Sequence, residues 1–242
     1  MTRHVRVSLV PDLASVSAGG ATLHTPGLTE PDVFGVAVDV LRATSTLSVA
    51  FAAGASRVLP FARTAAAIAW RDAHSDALAC GERDGAMVPG FDLGNSPFEY
   101  TAGRVAGRTL AFASTNGSRA MLALQGCGTR RCGAFVNAST ILREAELAAH
   151  VHIVCAGDRG TPCHEDLGCA AWLVARLIAR GFTAADETTE ALEHSAPVSR
   201  DDVATLVRES RHGRILASLG PEFARDVDFC ATLDALDVAA GW

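Results

Sequence analysis

The chain has 242 residues, is 49% hydrophobic and carries a formal net charge of −6 at neutral pH. This size and composition allow one well-buried α/β domain, or two small lobes that share a cleft. The negative charge argues against nucleic acid or an anionic membrane as a partner, because neither attracts an acidic chain. No apolar run reaches the roughly 18 residues that span a bilayer, so we expect a cytoplasmic protein.

Two features of the composition restrict the chemistry. Seven cysteines without regular spacing do not indicate a disulfide framework in a chain of this length, and the cysteines and histidines around Cys163 match no standard zinc pattern. All 21 basic residues are arginine, so no lysine can form a Schiff base or serve a P-loop. Arginine, hydroxyls, backbone N–H groups or a metal ion must therefore recognise any anionic ligand.

Apolar, β-branched runs alternate with helical patterns along most of the chain. The predicted strands are residues 5–10, 33–38, 57–60, 77–80, 109–113, 134–136 and 151–156, with an irregular connection at 15–31. The predicted helices are residues 47–53, 64–74, 119–124, 140–150, 167–180, 200–210 and 222–229. This alternation predicts an α/β fold with a mostly parallel or mixed sheet and helices on both faces. We expect residues 1–242 to form a single domain, or two lobes, whose strand-end loops make one active-site crevice.

The first candidate site follows the predicted strand at 33–38. Asp39 and Arg42 lie at its carboxyl end. Three hydroxyls stand where the next helix begins: Thr44, Ser45 and Thr46. Hydroxyls and unpaired N–H groups at a helix N-terminus favour a bound anion, because the helix dipole is positive there. The stretch therefore predicts a phosphate site.

A segment rich in glycine and proline, residues 81–97, has no periodicity and is predicted to be a long loop. Its candidate site residues are Glu82, Arg83, Asp92, Asn95 and Ser96. Glu82 and Asp92 follow a predicted strand, a position that favours a functional role. Ser96 before Pro97 fits a helix N-cap at least as well as a binding residue.

A second hydroxyl cluster follows residues 109–113 at the start of another helix. It comprises Ser114, Thr115, Asn116, Gly117 and Ser118, with Arg119 next. Two such turns on neighbouring strands would aim two helix N-termini at one crevice, which favours anion binding. Further along, Asn137 is a candidate helix cap, and Glu165 and Asp166 open a helix either as dipole partners or as metal ligands.

Known phosphatase signatures give little support. Arg211-His212-Gly213 matches the RHG triplet of histidine phosphatases, but it follows a helix instead of a first strand, and chance explains so short a match better. No cysteine has an arginine six positions later, as a cysteine phosphatase requires. Leu41 stands where a haloacid-dehalogenase phosphatase needs its second aspartate. Neither of these covalent routes is supported.

Several motifs carry a resemblance to a known family. The longest is GFDLGNSP at residues 90–97, and the others are DVLRATST (39–46), GE (81–82), STNGS (114–118), the turn at Asn137, CAG (155–157) and ED (165–166). In their order and spacing the chain resembles the 2-phosphosulfolactate phosphatase family over residues 33–181. The family's TTNGT is STNGS here, and its CAGT is CAGD, which adds the carboxylate of Asp158.

The resemblance implies a phosphatase-like α/β domain. Its implied reaction is the Mg²⁺-dependent hydrolysis of 2-phospho-3-sulfolactate to 3-sulfolactate and phosphate, a step of coenzyme M biosynthesis. A homo-oligomer is a further expectation from the family. The substrate would be a small anionic phosphoester.

The residues fit such a reaction. Mg²⁺ prefers oxygen ligands and takes one or two carboxylates, and the candidate metal ligands are Asp39, Glu82, Asp92 and Asp166. Asp39, Glu82 and Asp92 are also candidate catalytic residues, together with Arg42, which would stabilise charge on the transferred phosphoryl group. The expected substrate-binding residues are Thr44, Ser45, Thr46, Arg83, Asn95, Ser96, Ser114, Thr115, Asn116, Gly117, Ser118, Arg119 and Asn137. Arg159 is a further candidate anchor for a second anionic group.

Alternatives remain open at this point. The nucleophile could be water, a hydroxyl such as Ser114 or Thr115, or Asp39. The substrate could be another small phosphorylated acid, because a pocket can change specificity while its phosphate groups stay fixed. A non-catalytic phosphate-binding module is a third interpretation, although strand-end carboxylates would weaken anion binding unless a cation is present.

Overall fold

The computed structural model describes residues 2–11 and 32–242, and in these ranges helices flank two β-sheets. The strands are β1 (Arg3–Ser8), β2 (Val33–Val38), β3 (Arg57–Pro60), β4 (Ala77–Arg83), β5 (Ala86–Met87), β6 (Thr109–Ala113), β7 (Thr129–Gly133), β8 (His150–Cys155) and β9 (Phe182–Ala184). The helices are α1 (Ala43–Ala52), α2 (Thr64–Asp72), α3 (Ala102–Val105), α4 (Gly117–Ala123), α5 (Ala138–Ala145), α6 (His164–Ile178), α7 (Glu187–Glu193), α8 (Arg200–Glu209), α9 (Arg211–Ser218) and α10 (Pro221–Cys230). Short 3-10 turns occupy Pro97–Glu99 and Phe135–Asn137.

The two sheets differ in size and strand direction. The five-stranded sheet is parallel throughout, in the order β7-β2-β8-β1-β9. The four-stranded sheet has the order β3-β6-β4-β5 and is parallel except for β5, which runs antiparallel to β4. The predicted α/β class is confirmed, but the strands form two sheets, one parallel and one mixed, where the sequence predicts one.

The larger sheet is buried on both faces, because successive side chains of a strand point to opposite sides. In β2, Phe34, Val36 and Val38 belong to a core that includes residues of α5 and α6. Val33 and Ala37 belong to a second core, which includes residues of α1 and α4. Helices therefore cover both faces of this sheet, as predicted.

The second core also connects the two sheets. Leu110 and Phe112 of β6 lie in it, whereas Ala111 and Ala113 face a third, smaller cluster that includes Ala67 of α2. Residues of both sheets thus pack around α1 and α4. The carboxyl ends of β2 and β6, which precede these helices, are held near one another by this packing.

Several predicted elements need correction. The strand predicted at 134–136 is wrong: the strand is β7, and the predicted residues form a 3-10 turn. β7 is one of the two edge strands of its sheet and carries Arg130 and Arg131, so its hydropathy does not mark it as a strand. The helix predicted at 140–150 ends at Ala145, and β8 begins at His150.

The sequence pattern also does not predict β9, α7 or α9. The connection predicted at 15–31 lies outside the described residues. Among the helices that the structure describes, none is both long enough and apolar enough to cross a membrane.

The predicted loop at 81–97 is only partly irregular. β4 continues to Arg83 and pairs with β5, with Glu82 opposite Met87, so Glu82 is held in a strand. The turn between the two strands contains Asp84 and Gly85, both with positive φ. The predicted N-cap is confirmed: Ser96 precedes the 3-10 turn, and its N–H donates to the Glu99 carboxylate at 3.4 Å.

Candidate active site

A cavity of about 490 Å³ lies where strands of both sheets end. Asp39 reaches it after β2, Glu82 from β4, Thr115 after β6 and Asp158 after β8. α9 lines another part of it with His212. Seven of the predicted site residues line this cavity: Asp39, Arg42, Glu82, Asn95, Thr115, Asn116 and Arg159.

Asp39 is nearly buried and is fixed by the start of α1. Its Oδ1 accepts a hydrogen bond from the Ala43 N–H at 3.1 Å. Gly117 packs so closely that a Cβ there would stand 2.6 Å from Asp39 Oδ2, so the position requires glycine. Burial, together with the charges of Glu82 and Glu165, outweighs the hydrogen bond and raises the pKa of Asp39 to about 6.

Glu82 is bound to the loop that follows β6. Its Oε1 accepts from the Thr115 N–H at 2.6 Å, and its Oε2 accepts from the Gly85 N–H at 2.7 Å and the Thr115 hydroxyl at 3.2 Å. The Thr115 hydroxyl oxygen in turn accepts from the Asp84 N–H at 3.1 Å. These bonds join the β4–β5 turn to the β6 loop and fix the carboxylate in the cavity wall.

Arg42 is positioned by the C-terminal helix α10. Its Nη1 donates to Asp226 Oδ2 at 2.6 Å, and its Nη2 donates to the Gly85 carbonyl at 3.2 Å. The Phe223 ring centroid lies 5.2 Å from the guanidinium carbon. The other oxygen of Asp226 accepts from the Ser96 hydroxyl at 2.7 Å. Ser96 therefore acts on Arg42 through Asp226, and it does not line this cavity.

The three hydroxyls of α1 do not face the cavity. The Thr44 hydroxyl lies 2.8 Å from two carbonyl oxygens that can accept its hydrogen bond, those of Asp39 and Gly133. Ser45 donates to the Val40 carbonyl at 2.8 Å, and Thr46 donates to the Asn95 carbonyl at 3.0 Å. All three side chains are fully buried, because the helix begins at Ala43 and its first turn packs in the interior. The phosphate contacts expected of them do not fit this geometry.

Some residues of the second hydroxyl cluster bind only each other, and others line the cavity. Ser114 and Ser118 cap each other, since each backbone N–H donates to the other's hydroxyl oxygen, at 2.8 and 2.9 Å. Asn116 lines the cavity, and its Oδ1 accepts from the Arg159 N–H at 3.1 Å. Asn137 is fully buried, and its amide bonds to three backbone groups. Its predicted role as a substrate contact does not fit the structure, whereas a local capping role does.

Two of the predicted carboxylates lie outside the cavity lining. Asp92 Oδ2 accepts from Arg71 Nη1 at 2.8 Å. The two oxygens of Asp166 accept from the backbone N–H groups of Val40, at 2.8 Å, and Gly157, at 3.0 Å. Asp166 therefore joins the ends of β2 and β8. Neither residue belongs to the lining that Asp39 and Glu82 share.

Of the predicted arginine anchors, Arg159 lines the cavity, whereas Arg83 and Arg119 do not. Arg211, which the sequence analysis does not predict as an anchor, also lines it. Arg211 Nη1 lies 3.9 Å from Asp158 Oδ2, and its side chain is largely exposed. These two residues supply positive charge at the edge of the cavity, in addition to the buried charge of Arg42.

His212 is a cavity residue that the sequence analysis does not predict. Its Nδ1 donates to Glu165 Oε1 at 3.1 Å, and Glu165 is only 2% exposed. Burial alone would raise the pKa of Glu165. Hydrogen bonds to the carboxylate, above all the one from His212, outweigh burial, and the pKa is lowered. The RHG triplet at 211–213 is the one sequence signal that marks this histidine, although its structural context differs from that of a histidine phosphatase.

The donor atoms of the cavity fit Mg²⁺. Asp39 and Glu82 offer carboxylate oxygens, which this ion prefers. Within the part of the chain that the structure describes, Asp39 Oδ2 has no hydrogen-bond partner, so this oxygen is available to a cation. Cys163, Glu165 and His212 form another possible ligand group, with ligand atoms within 4.8 Å of one another. Its sulfur and nitrogen donors suit softer metals than Mg²⁺.

Comparisons with known proteins identify the family of the chain. The family profile described as 2-phosphosulpholactate phosphatase matches residues 23–240. A Synechococcus protein named probable 2-phosphosulfolactate phosphatase is 40% identical over 211 residues, covering 84% of this chain and 86% of that protein. Proteins with the same name from Deinococcus radiodurans and Gloeobacter violaceus are 39% and 37% identical, covering 84% and 89% of this chain and 84% and 92% of their own lengths. The chain belongs to the 2-phosphosulfolactate phosphatase family.

Proposed function

We propose that this protein is a Mg²⁺-dependent phosphatase that hydrolyses 2-phospho-3-sulfolactate to 3-sulfolactate and phosphate. One observation carries the proposal: Asp39, Glu82 and Arg42 line a single cavity at the strand ends, each held by hydrogen bonds. Two fixed carboxylates beside a buried guanidinium suit a metal ion and a phosphoryl group together.

Asp39 and Glu82 would hold the metal ion. When bound, Mg²⁺ would neutralise phosphate charge and help to orient water for attack on phosphorus. The free Oδ2 of Asp39 supports this assignment, and so does the oxygen-only character of the pair. Asp92 and Asp166 are left out of the ligand set because neither lines the cavity.

Arg42 would stabilise the charge that accumulates on the phosphoryl oxygens. Asp226 holds it at 2.6 Å, so the guanidinium needs little reorganisation during the reaction. Water is the favoured nucleophile, because the Ser114 hydroxyl is engaged with Ser118 and the Thr115 hydroxyl donates to Glu82. These contacts favour water over the two hydroxyls.

The substrate class follows from the size and charge of the cavity. A volume of about 490 Å³ suits a small molecule. A substrate with phosphate, carboxylate and sulfonate groups needs several positive anchors, and Arg159 and Arg211 would contact the groups remote from phosphorus.

Asp158 favours a second candidate substrate class. Its carboxylate lines the cavity and stands where the resembling family typically has threonine. A negative charge there would disfavour a third anionic group on the substrate. The alternative is a phosphomonoester of another small acid.

A substrate panel separates the two candidates. Inorganic phosphate release is measured with 2-phospho-3-sulfolactate, phospholactate and phosphoglycolate at equal Mg²⁺ concentration, and kcat/KM values are compared. The proposal predicts the highest kcat/KM for the sulfonated ester. A preference for an ester without sulfonate would select the alternative, and phosphate binding without turnover of any ester would indicate a binding module.

A further inference from the structure

His212 lines the cavity of the proposed metal and phosphoryl groups, and its ring contacts Glu165. His212 is the second residue of α9, and Glu165 belongs to the first turn of α6. The ring is partly exposed, with 35% of the side chain accessible, whereas the Glu165 side chain is 2% exposed. A buried carboxylate thus holds a histidine that lines the cavity.

The contact fixes the orientation of the ring. Nδ1 donates to Glu165 Oε1 at 3.1 Å, so Nε2, on the opposite side of the imidazole, is the nitrogen left for a ligand. Among the described residues Nε2 has no hydrogen-bond partner, and the ring lines the same cavity as Asp39 and Glu82. Orientation by a carboxylate at one ring nitrogen leaves the other available for proton transfer.

The charges around His212 favour its protonated form. Burial lowers the pKa of His212, but the hydrogen bond with Glu165 and the charges of Glu165, Asp39 and Asp158 outweigh burial and raise it above its ordinary value of 6.5. The other titratable or charged groups that line a cavity with His212 are Cys163, His164, Glu82, Asp84, Arg42, Arg159 and Arg211. The thiol is neutral, because burial and neighbouring carboxylates raise its pKa.

We propose that His212 is the general acid of the phosphatase reaction and that Glu165 is its positioning residue; this inference rests on the function proposed above. As water attacks phosphorus and the ester P–O bond breaks, Nε2 gives its proton to the departing oxygen of the substrate. The products are the hydroxy acid and phosphate. The water molecule that attacked brings its protons to the released phosphate, and one of them returns to the neutral imidazole of His212. No further reactant is needed.

The chemistry of the leaving group explains why such a donor is needed. An alkoxide released from an aliphatic phosphoester is strongly basic, so protonation of that oxygen lowers the barrier. Arg42 cannot donate a proton because its guanidinium stays charged. Asp39 and Glu82 are required as carboxylates for the metal ion. His212 is the cavity residue whose chemistry suits the step.

The first test compares two leaving groups. The variant His212→Gln is assayed with 2-phospho-3-sulfolactate and with p-nitrophenyl phosphate, whose phenolate leaves without protonation. We expect kcat to fall roughly 100- to 10,000-fold with the aliphatic ester and by less than about tenfold with the aryl ester. Equal losses with both esters would overturn the assignment, because a merely structural role would not depend on the leaving group.

A second test uses the pH profile and the aliphatic ester alone. In Glu165→Gln, the pKa of His212 should fall, because the variant removes a negative charge beside the ring. The alkaline limb of kcat should then move to lower pH. An unchanged limb would overturn the role of Glu165 as the group that positions and charges His212.

A matched variant distinguishes proton donation from metal binding. Cys163→Ser removes the sulfur donor near Glu165 and His212, and it should retain wild-type kcat and the wild-type Mg²⁺ dependence. If it lowers activity as strongly as His212→Gln, the three residues act together as a metal site, and the general-acid assignment is wrong. A wild-type protein that hydrolyses neither ester would instead overturn the proposed function, and this inference with it.

Discussion

Arg42 and Asp226 form a buried ion pair at 2.6 Å, although 184 positions separate them in the sequence. The pair connects the loop after β2 to α10, and Ser96 joins it through the second oxygen of Asp226. The C-terminal helices are therefore part of the site, since α10 fixes the arginine and α9 contributes His212.

The ion pair gives the first prediction. Asp226→Asn leaves the Arg42 charge buried without its counter-charge, and breaking a buried pair in this way costs about 3 kcal/mol or more. We expect the free energy of unfolding, measured by urea denaturation, to fall by that amount, and kcat/KM to fall with it.

Asp228 provides the control for this variant. It lies on the same helix and pairs with Arg208, but its side chain is 61% exposed. Asp228→Asn should change the unfolding free energy by less than about 1 kcal/mol. Equal destabilisation by the two variants would contradict the importance assigned to the buried pair.

The second prediction concerns the two aspartates that the sequence treats alike. Asp39→Asn should lower kcat by roughly 100-fold or more, since loss of metal-assisted charge stabilisation costs several kcal/mol in the barrier. Asp92→Asn should stay within about tenfold of wild type, because Asp92 contacts Arg71 outside the cavity. Steady-state phosphate release measures both. A larger loss in Asp92→Asn would contradict the assignment of the metal ligands.

The third prediction concerns the close approach of α4 to Asp39. In Gly117→Ala the new methyl group would stand 2.5 Å from the Ala43 Cβ and 2.6 Å from Asp39 Oδ2, so one of them must move. We expect a loss of about 1–3 kcal/mol in stability and a fall in kcat. Gly103→Ala, where no atom lies within 4 Å of the new methyl group, is the control and should be neutral or slightly stabilising. Wild-type kcat in Gly117→Ala would contradict the tight packing described.

The fourth prediction is a pH dependence of stability. Burial lowers the pKa of His152 to about 4 from its ordinary 6.5, with a further contribution from Arg6. As the pH falls through 6.5, the unfolded chain takes up a proton that folded His152 does not accept until about pH 4, so the folded state loses stability over this window.

The size of this effect can be measured with His152→Gln. Wild type should lose up to about 3 kcal/mol more than the variant between pH 7 and pH 4, as measured by urea denaturation at each pH. The same carboxylates titrate in both proteins, so their contribution to the loss of stability cancels in the difference. Identical losses in the two proteins would contradict the buried neutral state of His152.

The strands that bear the site could be predicted from the sequence, because each is buried on both faces and reads as a continuous apolar run. The bounds of β2 and β6 agree with the predicted ones. Asp39 and Glu82 were found by the same rule, since side chains that follow such runs lie at the carboxyl edge of a sheet.

The orientation of individual polar groups could not be predicted in this way. Thr44 and Asn116 both stand near a helix start, but one faces the interior and the other faces the cavity. Asp92 follows a predicted strand as Glu82 does, yet its carboxylate forms an ion pair with Arg71 outside the cavity. His212 and Asp226 reach the site through tertiary packing alone, and spacing along the chain carries no information about such contacts.

The most direct test of the central claim is phosphate release from 2-phospho-3-sulfolactate by the purified protein, with Mg²⁺, after chelation, and after Mg²⁺ is restored. The account predicts turnover with Mg²⁺, loss of turnover with the chelator, and recovery when the ion is returned. Turnover that persists undiminished after chelation would contradict the metal site at Asp39 and Glu82, and the absence of turnover under all three conditions would contradict the proposed reaction.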